Sequence, residues 1–299
     1  MASESFRKLM ASMDEAKEIR ESLSQHLEGV RQLMATLDDR YPLPEDVTVT
    51  PVDAGGVPAE WVTAPSSRSE RVLLYTHGGC YISGSPVTVR ECCARLAIAS
   101  DCKVLSVDYR LAPEHPFPAA LDDVLLAYDW LLQSGYEANN IIIGGESAGG
   151  GLTIATLMKI RDDGRLPMPA LGIPISPWID MTMQHESLKR NVGRDIASTV
   201  PLEIGAKLYV ADGDPQNPYV SPLFGELNGL PPLLIQVGGG EVLLDDGIAI
   251  SHKARQAGVD VTLEVWPDMC HVWHWMASEL DEGDEAIKAI GAFIKTRLK

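Results

Sequence analysis

The chain is 299 residues long and 45% hydrophobic, enough apolar material to fill the core of one large α/β domain or two small ones. Its 25 lysines and arginines stand against 42 aspartates and glutamates, a net charge of −17 with no lysine- or arginine-rich run, which excludes nucleic acid and anionic membrane surfaces as expected partners. No stretch reaches the roughly 18 to 20 uninterrupted apolar residues that a membrane-crossing helix needs. The start, Met1-Ala2-Ser3-Glu4-Ser5-Phe6, lacks the basic residues and apolar run of a secretory signal. The five cysteines, Cys80, Cys92, Cys93, Cys102 and Cys270, form no C-x-x-C pair and read as reduced thiols, so the expected setting is cytoplasmic.

From Phe6 to Leu37 apolar residues recur mostly three or four apart, through Leu9, Met13, Ile19, Leu23, Leu27, Val30 and Met34, with charges between. That spacing predicts amphipathic helix, ended by the prolines of Tyr41-Pro42-Leu43-Pro44. Val47-Thr48-Val49 and Ala59-Glu60-Trp61-Val62, split by Gly55-Gly56, predict an antiparallel pair at a sheet edge. Apolar strand-like runs then follow at 72–75, 104–107, 141–143, 171–173, 233–237 and 261–265. Helix-like stretches lie near 88–100, 119–133, 149–161, 242–257 and 284–298. This alternation predicts a mostly parallel sheet covered by helices on both faces. The interval from Asp180 to Pro218 is far longer than one crossover helix and predicts an inserted subdomain, which with the amino-terminal helices would cap the carboxyl ends of the strands.

Ile141-Ile142-Ile143 runs into Gly144-Gly145-Glu146-Ser147-Ala148-Gly149 and then into Leu152-Thr153-Ile154-Ala155, a strand, sharp turn and helix. In that context G-x-S-x-G has a mechanical meaning. The serine occupies a strained turn that lifts its hydroxyl above the sheet, and the glycines let neighbouring backbone come close. Ser147 is therefore the candidate nucleophile. A phosphate-binding loop would need a lysine, and none lies between Ala138 and Met158, which disfavours phosphoryl transfer.

Acyl transfer also needs preorganised N–H donors for the tetrahedral oxyanion. After Tyr75-Thr76 stands His77-Gly78-Gly79-Cys80, similar to an HGGG turn with Cys80 in the place of the third glycine. The expected donors are Gly78, Gly79 and Ala148. His77 is expected to orient this loop rather than act as base, and Cys80 has no thiol-protease signature around it.

The order of His77-Gly78-Gly79-Cys80, Tyr81, Gly84 and Ser85, then the run Asp108 to Ala120 with His115 inside it, then Gly145-Glu146-Ser147-Ala148-Gly149-Gly150, resembles the bacterial hormone-sensitive-lipase family of carboxylesterases from about residue 45 onward. The resemblance implies an α/β-hydrolase fold, with 1–44 as amino-terminal cap helices, 45–179 and 219–299 as catalytic core, and 180–218 as the inserted part of the cap. It implies no metal or organic cofactor, a small ester with a short acyl chain as substrate, and homodimerisation as a possibility common among similar enzymes. Glu146 matches an acidic variant of the elbow and is expected to steady the turn.

In this fold the acid and base follow the serine in the order serine, acid, histidine. The strand at 261–265 leads through Trp266-Pro267-Asp268-Met269-Cys270 to His271, which is favoured as base over His274, placed at the entry to the final helix among tryptophans. His26 precedes the sheet, and His185 and His252 read as solvated surface residues. After the strand at 233–237 the chain reads Gly238-Gly239-Gly240-Glu241-Val242-Leu243-Leu244-Asp245-Asp246. Family members usually carry aspartate at the position of Glu241. Glutamate can orient an imidazole equally well if the loop accommodates a methylene, and the glycine run could supply the freedom. Asp245 is the competing acid, with service to its helix or an interface as its other reading. The same triad would open lactones, as in enzymes resembling monoterpene lactone hydrolases. It would be incomplete in a binding protein resembling the gibberellin receptors, which lack the histidine.

Overall fold

The computed structural model describes residues 3–15, 17–38 and 40–298. Eight strands, β1 (Thr48–Asp53), β2 (Pro58–Thr63), β3 (Arg68–Thr76), β4 (Cys102–Val107), β5 (Ile141–Glu146), β6 (Leu171–Ile175), β7 (Leu233–Gly238) and β8 (Val261–Trp266), form one sheet in the order β1-β2-β4-β3-β5-β6-β7-β8. The β1–β2 and β2–β4 pairs are antiparallel and the others parallel. The predicted mostly parallel sheet with an antiparallel edge pair is thus the observed one. Its central strands are continuous apolar runs because both faces are covered.

The covering helices follow from the two-residue alternation of the strands. On β3, Val72 and Leu74 pack with Leu121, Val124, Leu157 and Ile250 on one face, whereas Leu73 and Tyr75 pack with Leu96, Ile290 and Ile294 on the other. The first face is covered by α5 (Ala119–Gln133), α6 (Ala148–Asp163) and α9 (Leu244–Gln256), the second by α4 (Arg90–Ser100) and α10 (Asp281–Arg297).

The amphipathic stripe at the amino terminus is broken into three helices, α1 (Glu4–Glu15), α2 (Lys17–Leu23) and α3 (Leu27–Ala35). Met13's side chain lies outside the described residues. The turn before α3 is closed by His26, whose Nδ1 accepts the Gly29 N–H at 2.9 Å, and a Cβ at Gly29 would fall 1.9 Å from Leu23 O. Periodicity alone does not carry such a cap. Helix α1 lays Phe6 and Leu9 on Met269, Cys270, Trp273 and Met276, in and after the loop that leaves β8.

Between β6 and β7 the long insertion carries α7 (Ser187–Arg190) and α8 (Thr199–Val210). Tyr209 stacks on Tyr81 with ring centroids 3.8 Å apart, and Tyr209 O accepts the Phe117 N–H. Gly205 brings α8 so close to the turn after β3 that a Cβ would meet Cys80 O at 2.5 Å. Of the apolar residues from Trp178 to Tyr209, Trp178, Met181, Leu202 and Tyr209 are buried in the core and Met183, Ile204 and Leu208 are half-buried.

Candidate active site

Buried β5 ends at Glu146 and α6 begins at Ala148, which leaves Ser147 alone at the turn with φ 57° and ψ −119°. A non-glycine residue there costs on the order of 1–3 kcal/mol and persists only where its surroundings over-determine it. They do. Ser147 N–H donates to Ile175 O at 2.9 Å, and Ser147 O accepts from Gly151 and Trp178, each at 3.0 Å. The flanking glycines are required by the last residue of β3, since a Cβ at Gly145 or Gly149 would lie 2.2 or 1.9 Å from Thr76 O. The amino terminus of α6 places its positive end beside the hydroxyl.

The turn after β3 lies against this elbow. A Cβ on Gly78 would meet Ser147 Cβ at 3.1 Å, and Gly79, with φ 119°, leaves no room for one beside Ser83 O. Cys80 and Tyr81 both adopt left-handed φ values, 57° and 62°, so cysteine here takes a conformation that glycine would accept at lower cost. His77 is buried, stacks on Tyr109 with centroids 4.2 Å apart and donates from Nδ1 to Gly78 O at 2.7 Å. Burial lowers its pKa to about 4, only partly offset by the Gly78 carbonyl, so the ring is neutral at pH 7. It orients the loop, as expected. The Gly78 N–H differs from expectation, because it donates to Glu146 Oε1. Among the described residues neither the Gly79 nor the Ala148 amide donates to a protein acceptor. Burial pushes Glu146 up to about 7 against the opposing Gly78 hydrogen bond.

The loop after β7 and the loop after β8 run side by side. Gly239 N–H donates to Trp266 O at 2.8 Å and Gly240 N–H to Met269 O at 2.9 Å. A Cβ at Gly238 would fall 2.3 Å from Met269 O, so the glycine run serves close approach rather than flexibility. This zip brings His271 Nδ1 to 3.5 Å from Glu241 Oε2, ion-pair range and longer than an ideal hydrogen bond. Glu241 is fully buried, and its Oε2 accepts from Ser176 Oγ at 2.7 Å. Ser176 Oγ in turn accepts the Val272 N–H at 3.4 Å. Burial works against a charged His271 ring but is outweighed by Glu241 and the charges of Asp195 and Glu146, and the pKa rises above 6.5. Burial also raises Glu241, opposed by His271.

Other predicted residues fall elsewhere. Asp245 accepts the Ser187 N–H at 2.8 Å and pairs with Arg190 at 3.0 Å, both in the insertion, and no hydrogen bond or ion pair joins it to His271 among the described residues. His274 sits in a 3-10 turn, Trp273–Met276, before the final helix rather than at its entry. It is buried, donates from Nε2 to Gln236 Oε1, and burial lowers its pKa to about 3. His115 and His252 are exposed. His185 departs from the surface reading, since its Nδ1 lies 2.8 Å from Oδ2 of buried Asp246. Ser176, Asn191 and Asp195, none of them in a recognisable motif, also reach the loops bearing Glu241 and His271 through hydrogen bonds.

A mixed, mostly parallel sheet with a strained serine at a central strand-to-helix turn is α/β-hydrolase architecture. Residues 73–275 match a family model described as alpha/beta hydrolase fold. An acetyl-hydrolase of Streptomyces hygroscopicus is 45% identical over 246 residues, 82% of each chain. An esterase of Acinetobacter venetianus is 36% identical over 89% of this chain and 88% of its own. Among solved structures, an esterase from the bacterial hormone-sensitive lipase family matches with a TM-score of 0.93 at 42% identity over 100% of both chains. A hormone-sensitive lipase from a metagenome library matches at 0.90 and 41% identity over 97% of this chain and 98% of its own. The chain belongs to the bacterial hormone-sensitive-lipase family and is a carboxylic ester hydrolase. No helix among the described residues is long and apolar enough to cross a membrane.

Proposed function

We propose that this hydrolase cleaves short-chain carboxylic esters through an acyl-enzyme on Ser147, with His271 as base and Glu241 as the acid that orients it. The observation that carries the reading is the strained backbone of Ser147 at the head of α6, with the Gly78-Gly79 turn packed against it. Because Nδ1 of His271 faces Glu241, Nε2 is the nitrogen that takes the proton from Ser147 Oγ as it attacks the ester carbonyl. The Gly79 and Ala148 amides hold the oxyanion, and Gly78, engaged by Glu146, fixes the turn. The alcohol leaves with the proton from His271, and water activated by the same ring hydrolyses the acyl-enzyme.

Residues 1–44 and 180–218 act as the cap over this site, a role supported by the contacts of α1 on the His271 loop and of α8 on Cys80. The similarity to an acetyl-hydrolase supports a short acyl group. The test is a rate series on p-nitrophenyl esters from acetate to palmitate, with lactones and simple amides beside it, for the wild type and Ser147→Ala. Short esters are expected to turn over fastest and Ser147→Ala to be inactive. Near-normal turnover by the variant defeats the scheme, and a preference for lactones replaces the substrate class.

A further inference from the structure

We infer that Asp195, in the inserted segment, is a positioning residue whose single carboxylate ties the loop bearing Glu241 to the loop bearing His271. Its Oδ1 accepts the backbone N–H of His271 and its Oδ2 that of Val242, each at 2.7 Å, and Val242 is the residue directly after Glu241. The carboxylate is buried, with one oxygen on each of these two amides and a further backbone hydrogen bond from Ala197. One turn earlier, Asn191 donates from Nδ2 to Glu241 O at 2.7 Å, and the Asp195 N–H donates to Asn191 O. One short stretch of the insertion thus holds the main chain of both proposed triad loops. The His271 loop needs such a tie, because Val272 is β-branched and sits at φ 49°, a conformation that must be imposed from outside.

A second effect is electrostatic. Facing His271 are Glu241 from the loop after β7, Asp195 from the insertion and Glu146 from the end of β5, while neighbouring His274 is neutral. Asp195 therefore adds to the charges that favour a protonated ring, and His271 in turn opposes the burial that raises Asp195. The role rests on the proposed Ser147, His271 and Glu241 mechanism, because Asp195 touches none of the reacting atoms.

Asp195→Asn tests it. The amide keeps the volume, loses the charge and can accept only one of the two N–H bonds. In short-chain ester hydrolysis, kcat should fall about tenfold or more with KM little changed. The acid limb of kcat/KM against pH should move lower, because one negative charge facing His271 is gone. Asp195→Glu, which restores the charge one methylene further out, should return the limb toward the wild type while kcat stays reduced. Assays run well below each variant's melting temperature keep the folded fraction constant. A kcat within about twofold of wild type overturns the role. So does a loss of rate that only tracks melting temperature, with an unmoved acid limb in both variants. Ser147→Ala in the same series separates the two claims. Full turnover there defeats the ester mechanism, whereas an inactive Ser147→Ala beside an unaffected Asp195→Asn defeats only the positioning role.

Discussion

Replacing Glu241 by Gln removes the charge beside His271 while keeping the side chain's shape. The two groups are 3.5 Å apart, and unit charges at that separation attract by about 5 kcal/mol at an effective dielectric of about 20. In the proposed mechanism most of that attraction is felt by the imidazolium that forms as Ser147 attacks. At about 1.4 kcal/mol per factor of ten, its loss lowers kcat on the order of a thousandfold, with Asp195 and Glu146 left to sustain a residue of basicity. With the amide oxygen at the Oε2 position Ser176 Oγ keeps its acceptor, while the NH2 takes the place of Oε1, which has no hydrogen-bond partner among the described residues, so the melting temperature should fall by the cost of one unpaired buried donor. Because catalysis needs neutral His271, and Glu241 helps hold its pKa above 6.5, the acid limb of kcat/KM should shift to lower pH in the variant. The assay is a pH series of p-nitrophenyl butyrate hydrolysis with a thermal melt, and Asp245→Asn run in parallel. Asp245 is bound to Ser187 and Arg190 and should leave kcat near the wild-type value. Glu241→Gln turnover within about tenfold of wild type, or greater damage from Asp245→Asn, refutes the assignment.

Ser176→Ala removes a buried hydroxyl that donates to the Glu241 carboxylate at 2.7 Å, a bond to a charged group worth about 1.5–3 kcal/mol. A kcat loss of about ten- to a hundredfold is expected, read against an unchanged KM. His185→Gln probes the tie between the insertion and α9. The Asp246 hydrogen bond raises His185 above 6.5 despite burial, so its stabilisation is fully present below about pH 6.5 and is lost as pH rises through the raised folded value. The melting-temperature gap between wild type and variant should therefore be widest below pH 6.5 and narrow above it. A gap independent of pH argues against the charged pair.

The strands were legible because each is a short run of β-branched and aliphatic residues bounded by turn-forming ones, and the parallel sheet follows from helices between them. The glycines around Ser147 and Gly79 in the turn after β3 were legible for a different reason. Their chemistry forces residue types, since no side chain but glycine fits beside Thr76 O or Ser83 O. The broken amino-terminal helix was not legible, because the apolar period continues through a turn that depends on His26 acting as a cap. His185 looked like a surface residue because its charged neighbours in sequence are local, while its buried partner Asp246 lies 61 residues away.

The support of the proposed acid and base was the least visible part of the site. Asp195 reaches His271 across 76 residues of chain and binds it through the main chain, so neither partner's residue type betrays the contact. Asn191 likewise meets Glu241 through its carbonyl. A segment read from sequence as a substrate cap thus contacts both loops of the acid and base, while its helix α8 presses on the turn after β3 through Gly205. Changes in the insertion are therefore expected to alter kcat as well as substrate size, because the segment proposed as cap also holds the main chain of both proposed triad loops.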